Sequence, residues 1–434
     1  MDTSGNSAFS NCTGIVTYSL PSTLESIGSK VFYNNTGLVR LNIPKGVISI
    51  GENSFDSCKS LSVVRFENGS LTCNEQAFFQ GCQLRTLHIG RNLVFDTQKN
   101  DHGYVINYSP FSGIETLKKV TFSPNDDITL ISHDLLRNCK NVIKLALPRS
   151  LKSIGSYAFS GLTNLKDIST YDNVEAIGAS CFEGCTSLES AKLSKKLKAL
   201  SNRVFYGCSS LNNFIIPDST TSIGSQAFEN CTSLSSIAAN VKAIKDKAFN
   251  GCTNLQNISV AGDSLGAYAF NGCVNLQTAM VNENTIDRYA FNGCSNLQSV
   301  SITGNTIGVS AFNECAKLSN LTVKDVTNIA DEAFDGCESL SNIILIDGDK
   351  DLTIGNSHNK GMFRNSPVKE LYLGRNLVYS NSPFANIATL GTLTLGTKLT
   401  YIGSNAFSNC TSLPMVTMPD NIKSIGQSAF EGCI

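Results

Sequence analysis

Several residue sets in this 434-residue sequence have types and spacings that could do chemistry. The 16 cysteines could cross-link as disulfides or hold a metal as thiolates. No C-x-x-C pair occurs, however, and 14 of them fall at or next to the third position after a recurring Phe; only Cys73 and Cys181 do not. The position alternates with the apolar substitutes Leu162, Ile114 and Ile387, which is how a small buried hydrophobe behaves. Buried, reduced, unligated thiols are therefore expected, with bridges between adjacent repeats as the alternative. His88, His102, His133 and His358 lack H-x-x-x-H or H-x-x-E spacing, and His88, pointing opposite to Leu87 and Ile89 in its strand, reads as a surface polar residue. Asp347, Asp349 and Asp351 form D-x-D-x-D, an oxygen-rich spacing that suits calcium. Leu352 and His358 occupy the positions where an EF-hand needs Gly and Glu, so a solvated acidic hairpin is expected and calcium is left open. Lys192, Lys195, Lys196 and Lys198 read as an exposed turn. No nucleophile elbow, phosphate-binding loop or dinucleotide fingerprint is present. Neither an enzyme nor a cofactor is expected.

Composition narrows the classes further. Lys+Arg 34 against Asp+Glu 35 gives a net charge of -1, which argues against a nucleic-acid footprint. Charged residues are only 16%, so the surface must be mostly neutral and polar. No apolar run approaches the roughly 20 residues needed to span a bilayer. The opening MDTSGNSAFSNC has no basic start or apolar run, so no signal peptide is read there.

The elements that would position these residues come from a repeat. Phe9, Phe32, Phe55 and Phe78 are 23 residues apart, as are Phe159, Phe182, Phe205 and Phe228. From Phe228 through Phe249, Phe270 and Phe291 to Phe312 the step is 21. The series continues through Phe334, Phe363, Phe384, Phe407 and Phe430; Phe111 and Leu136 complete about 19 units. Around each Phe the pattern is roughly I-G-x-x-A-F-x-G-C-x-x-L-x-x-V-x-I-P. L-x-x-V-x-I alternates with period two and predicts a short strand, ended by prolines such as Pro44 and Pro217. I-G-x-x-A-F-x-G-C is too short for a stable helix and predicts one 3₁₀ or α turn. Neither element can bury its apolar face alone, so the units must stack with their strands in a parallel sheet.

IGSYAFSGLTNLKDI, IGSQAFENCTSLSSI and IGSNAFSNCTSLPMVTMP resemble the BspA-like, or Treponema-type, leucine-rich repeat, from Phe9 to Cys433. LHIGRNLVFDTQKNDHGYVINYSPF and LYLGRNLVYSNSPF share L-x-x-G-R-N-L-V and S-P-F and look like units of Bacteroides-type members. The resemblance implies a right-handed curved solenoid, of α/β-type with short strands and short turns. It also implies a secreted or cell-surface protein used for adhesion and for protein or glycan recognition, and no enzyme.

On this reading residues 1–434 form a single solenoid with longer units near 79–111 and 335–363. Its first and last units are incomplete, and a fragment is expected. Positions eight and ten after the Phe face outward from the sheet. They nominate Ser236, Asn257, Ser259, Thr278, Ser299, Ser301, Asn320, Thr322 and Asn342 as a neutral polar binding face. The insertions Asp96 to Asn107 and Asp347 to Lys360 are further candidates, because loops on rigid scaffolds often carry function. A surface binding module for an extracellular protein or glycan, monomeric and without membrane insertion in this chain, is the leading reading. A structural stalk presenting another domain is the alternative. The 21-residue units should keep an unbroken sheet while changing the coil's cross-section.

Overall fold

The computed structural model describes residues 5–73, 78–95, 109–124, 127–358, 360–363 and 365–434. The insertion from Asp96 to Asn107 lies outside the described residues. The chain divides into two compact units, Met1–Thr220 and Thr221–Ile434. Each is a stack of coils joined by parallel strand pairs.

In the first unit the strands Arg40–Ile43, Val63–Phe66, Thr86–Ile89 and Lys119–Phe122 pair in sequence order. In the second, Ser236–Asn240, Asn257–Leu265, Thr278–Ile286, Ser299–Thr303, Asn320–Lys324, Asn342–Leu345, Glu370–Leu373 and Thr392–Leu395 pair the same way, without a break. Burial alternates along each, as in Ser236–Asn240, where Ile237 and Ala239 are buried and their neighbours exposed. That alternation is the period-two pattern of the sequence.

A second, two-residue strand carries the Ile five residues before the Phe, which the sequence reading had placed in the turn. Ser26–Ile27 pairs with Ser49–Ile50, and Ser222–Ile223 with Ala243–Ile244. In the 21-residue coils around Phe249 and Phe270 both strands merge into one of nine residues, Asn257–Leu265 and Thr278–Ile286. The two residues missing from these coils are therefore the turn between front and back strands. The sheet stays in register through these coils.

No helix forms among the described residues. The segment around each Phe has i→i+3 bonds, such as Asp56 N–H to the Asn53 carbonyl at 3.2 Å and Cys58 N–H to the Phe55 carbonyl at 3.3 Å. These cannot propagate, because the residues two before and two after the Phe have left-handed backbone: Lys247 at φ 57 and Gly251 at φ 71, for example. The alternation aims N–H groups along the stack. Lys247, Phe249 and Gly251 donate to the carbonyls of Ala267, Ala269 and Asn271 at 2.9, 2.8 and 2.9 Å. Each non-glycine residue in that conformation costs about 1 kcal/mol, offset by this second ladder. The same φ explains the Gly or Asn before most of the repeat cysteines (Ser57 and Glu314 are the exceptions), and hence N-C-T sequons at Asn11, Asn230 and Asn409.

The phenylalanines form the spine of the core. Phe228, Phe249, Phe270, Phe291 and Phe312 are fully buried and stack face to face at 4.9–5.3 Å. Complete burial of such a ring contributes about 1.5–3 kcal/mol. One position is corrected. Phe79, not Phe78, stands in the ladder, stacked on Phe55 at 5.5 Å and on Phe111 at 5.4 Å. Phe78 packs edge-on against Phe79 at 6.2 Å. Cys82 then lies three residues after its ring like the others, a spacing in the sequence that could have found the shift.

Candidate binding surface

The strands bring the nine nominated residues onto one face of the second unit. Cross-strand pairing sets Ser236, Asn257, Thr278, Ser299, Asn320 and Asn342 in one row, each opposite the next. A second row runs Ala238, Ser259, Met280, Ser301 and Thr322. Ser299, Thr322 and Asn342 are half-buried and the other six nominees exposed. Thr278 Oγ1 donates to Asn257 Oδ1 at 2.7 Å, so part of the row is already hydrogen-bonded. Met280, 65% exposed, is the single large apolar side chain between Ser259 and Ser301.

The sequence reading missed a groove of about 680 Å³ along the next outward row. Asn240, Asn282, Asn284, Thr303 and Asn305 line it, and Gly348, Asp349 and Lys350 of the insertion close one end with Arg375. Beside it Glu283, 1% exposed, pairs with Gly262 in one neighbouring strand, and its backbone carbonyl lies against Gly304 on the other side. Its two carboxylate oxygens have no hydrogen-bond partner among the described residues. Burial, then the Asp263 charge, pushes its pKa from 4.5 up to about 7. No sequence signal singled it out, because its register position is occupied by Gly, Val and Asp in adjacent coils.

The insertion does not gather its aspartates. Asp347 accepts from Tyr372 at 2.9 Å and Thr397 at 3.2 Å, Asp349 pairs with Lys398 at 2.8 Å, and Asp351 accepts from Asn376 at 3.1 Å. The hairpin is thus fastened to following coils rather than solvated throughout. No cluster of three or more His, Cys, Asp or Glu able to hold a metal exists among the described residues. The histidines also stay apart. His88 Nδ1 lies 2.9 Å from Thr121 Oγ1, His133 bonds Asp134 and the Phe95 carbonyl, and His358 lies 3.3 Å from Asp335. His102 lies outside the described residues.

The 15 cysteines whose side chains are described are free, and all but half-buried Cys12 and Cys433 are buried. They are more than small hydrophobes. The thiol of each coil reaches back to the carbonyl of the previous coil's Phe: Cys185 to Phe159 at 3.2 Å, Cys252 to Phe228 at 3.2 Å, Cys294 to Phe270 at 3.3 Å. Asn35, fully buried, replaces the cysteine once and donates to the Phe9 carbonyl at 2.7 Å. Burial pushes Cys185, Cys252 and Cys294 from 9.0 up to about 12, so they remain neutral donors rather than thiolates.

The repeated G-R-N is likewise spent on stacking. Buried Arg91 donates to the carbonyls of Val47 and Pro44, both at 2.7 Å, and Arg375 to those of Ile346 at 3.0 Å and Val326 at 2.9 Å. The following Asn faces forward: Asn92 Oδ1 accepts Thr129 N–H at 3.0 Å, and Asn376 Oδ1 accepts Thr400 N–H at 2.8 Å.

Among solved structures, a leucine-rich repeat protein from Bacteroides ovatus matches with TM-score 0.50 and 24% identity, over 81% of this chain and 82% of that one. That likeness is one of fold. A Treponema pallidum leucine-rich repeat protein matches at 25% identity and TM-score 0.31, over 44% and 82%. A leucine-rich cell surface protein from Faecalibacterium prausnitzii matches at 18% identity and TM-score 0.34, over 88% and 86%. No match is found among curated proteins. The family model described as "BspA type Leucine rich repeat region (6 copies)" matches residues 2–100, 98–212, 176–298, 235–341, 263–380 and 305–434. Together the six matches span residues 2–434, and the chain belongs to the BspA-type leucine-rich repeat family.

Proposed function

We propose that this chain is a non-enzymatic binding module, secreted or displayed on a cell surface, that recognises an extracellular protein or glycan. The observation that carries the reading is the division of labour within each coil. Phe, Cys, Leu and the G-R-N pair are buried or hydrogen-bonded along the stack, whereas Ser236, Asn257, Ser259, Thr278, Ser301 and Asn320 remain exposed on one sheet face beside a groove. Repeat proteins use such extended surfaces for binding. Family membership supports the extracellular placement. Residues 1–434 as a single monomeric solenoid of about 19 units, without membrane insertion, is part of the same proposal. No helix of the described residues is long and apolar enough to cross a membrane.

The test is to probe an array of extracellular proteins and glycans with the full chain. At least one ligand bound above background, saturably, is expected. An array without any such ligand overturns the reading and leaves the chain as a stalk for another domain.

A further inference from the structure

The outward face of the first unit carries a run of cations where the rows of the second are neutral. Pairing sets Arg40 opposite Val63, Arg65 opposite His88, and Thr86 opposite Lys119, with Arg85 and Lys118 immediately preceding the last pair. Lys144 holds the equivalent position one coil on. All six cations are exposed. None is in an ion pair among the described residues, although Lys166 on the next coil is, with Glu189 at 3.8 Å. The acid bordering the rows, Glu67, instead accepts from Asn42 at 2.6 Å. The local field is felt by His88, whose pKa is lowered by burial and then by the Arg65 charge.

The geometry points to this face as a docking surface for an acidic polysaccharide, one carrying uronate or sulfate groups. One or two cations per coil, at a strand spacing of about 4.8 Å, make a linear array along the stack that a linear polyanion can follow. Asn42, Ser62, Thr86 and Thr121 stand between the cations and can exchange hydrogen bonds with sugar hydroxyls. Single-stranded nucleic acid would use aromatic platforms, and the only ring on these rows, His88, is half-buried and bonded to Thr121. The inference rests on the chain being a binding module but places this ligand on the first unit, whereas the neutral rows belong to the second.

The experiment measures binding of the full chain to immobilised heparin and polygalacturonate, with neutral dextran, polyglutamate and single-stranded DNA as comparisons. Both acidic glycans should bind more tightly than polyglutamate or DNA, and dextran should not bind. Raising salt from about 0.1 to about 1 M, which shortens the screening length from roughly 10 to roughly 3 Å, should abolish binding. The triple variant Arg40→Ser, Arg65→Ser, Lys119→Ser should lose roughly tenfold or more in affinity. A variant losing as much charge elsewhere, Lys195→Ser, Lys196→Ser, Lys242→Ser, should not. Equal loss in both variants, or polyglutamate or DNA bound as tightly as the glycans, overturns the assignment. A chain that binds extracellular proteins but neither acidic glycan overturns this assignment alone. A chain that binds nothing overturns the binding-module reading as well.

Discussion

Cys252 combines three properties of its class: full burial, a thiol 3.2 Å from the Phe228 carbonyl, and a pKa raised by burial to about 12. A native chain at pH 8 should therefore expose only Cys12 and Cys433, of the described cysteines, to a thiol reagent, and the rest only after unfolding. Rapid native labelling of Cys185, Cys252 and Cys294 would contradict this. Because their folded pKa exceeds the ordinary 9.0, the thiols cost no stability below pH 9, and stability is lost as pH rises from 9 toward 12. Glu283 follows the same sign at lower pH. Its raised pKa, about 7 against 4.5, means the ionised form is disfavoured in the fold, so stability falls as pH rises from about 4.5 through 7. Glu283→Gln should match the wild type at pH 4.5 and be more stable at pH 8 by up to roughly 3 kcal/mol. Urea unfolding at both pH values measures this, and a variant less stable at pH 8 would refute it.

At the scale of the element, the front strand and the stacking Phe were legible in the sequence because both recur with fixed spacing. The second strand was not, since two residues, as in Ser49–Ile50, are too few for periodicity to register. The Phe78–Phe79 pair misled because adjacent aromatics are equivalent by composition and only the Cys82 spacing separates them. The turns were expected to be helical because their apolar offsets are near-helical. The left-handed residues that forbid this are often Tyr, Lys or Gln, such as Tyr268, Lys247 and Gln226, and carry no glycine signal. Phe270 tests the stacking element directly, with Phe249 at 5.0 Å and Phe291 at 5.3 Å on its two faces. Phe270→Ala should destabilise by about 3–5 kcal/mol. Phe270→Leu should cost no more than about 1.5 kcal/mol, since buried Leu136 already fills this register in the first unit. An alanine variant within about 1 kcal/mol of wild type would show that the ladder is not what holds the coils.

At the scale of the whole molecule, the sequence disclosed the fold and the rows that face outward, because stacking copies one coil's geometry into the next. It did not disclose the groove, Glu283 or the basic face. Those depend on which side chains from different coils become neighbours, a property of register rather than of any one motif. The central claim is that buried positions hold the stack and the neutral outward rows of the second unit bind. Its most direct test is the double variant Ser259→Arg, Ser301→Arg, whose side chains flank Met280 on the exposed row. Affinity for the protein or neutral glycan captured on the array and the thermal midpoint are measured on the same preparation. The account predicts at least a tenfold loss of affinity with the midpoint unchanged. Unchanged affinity would contradict it.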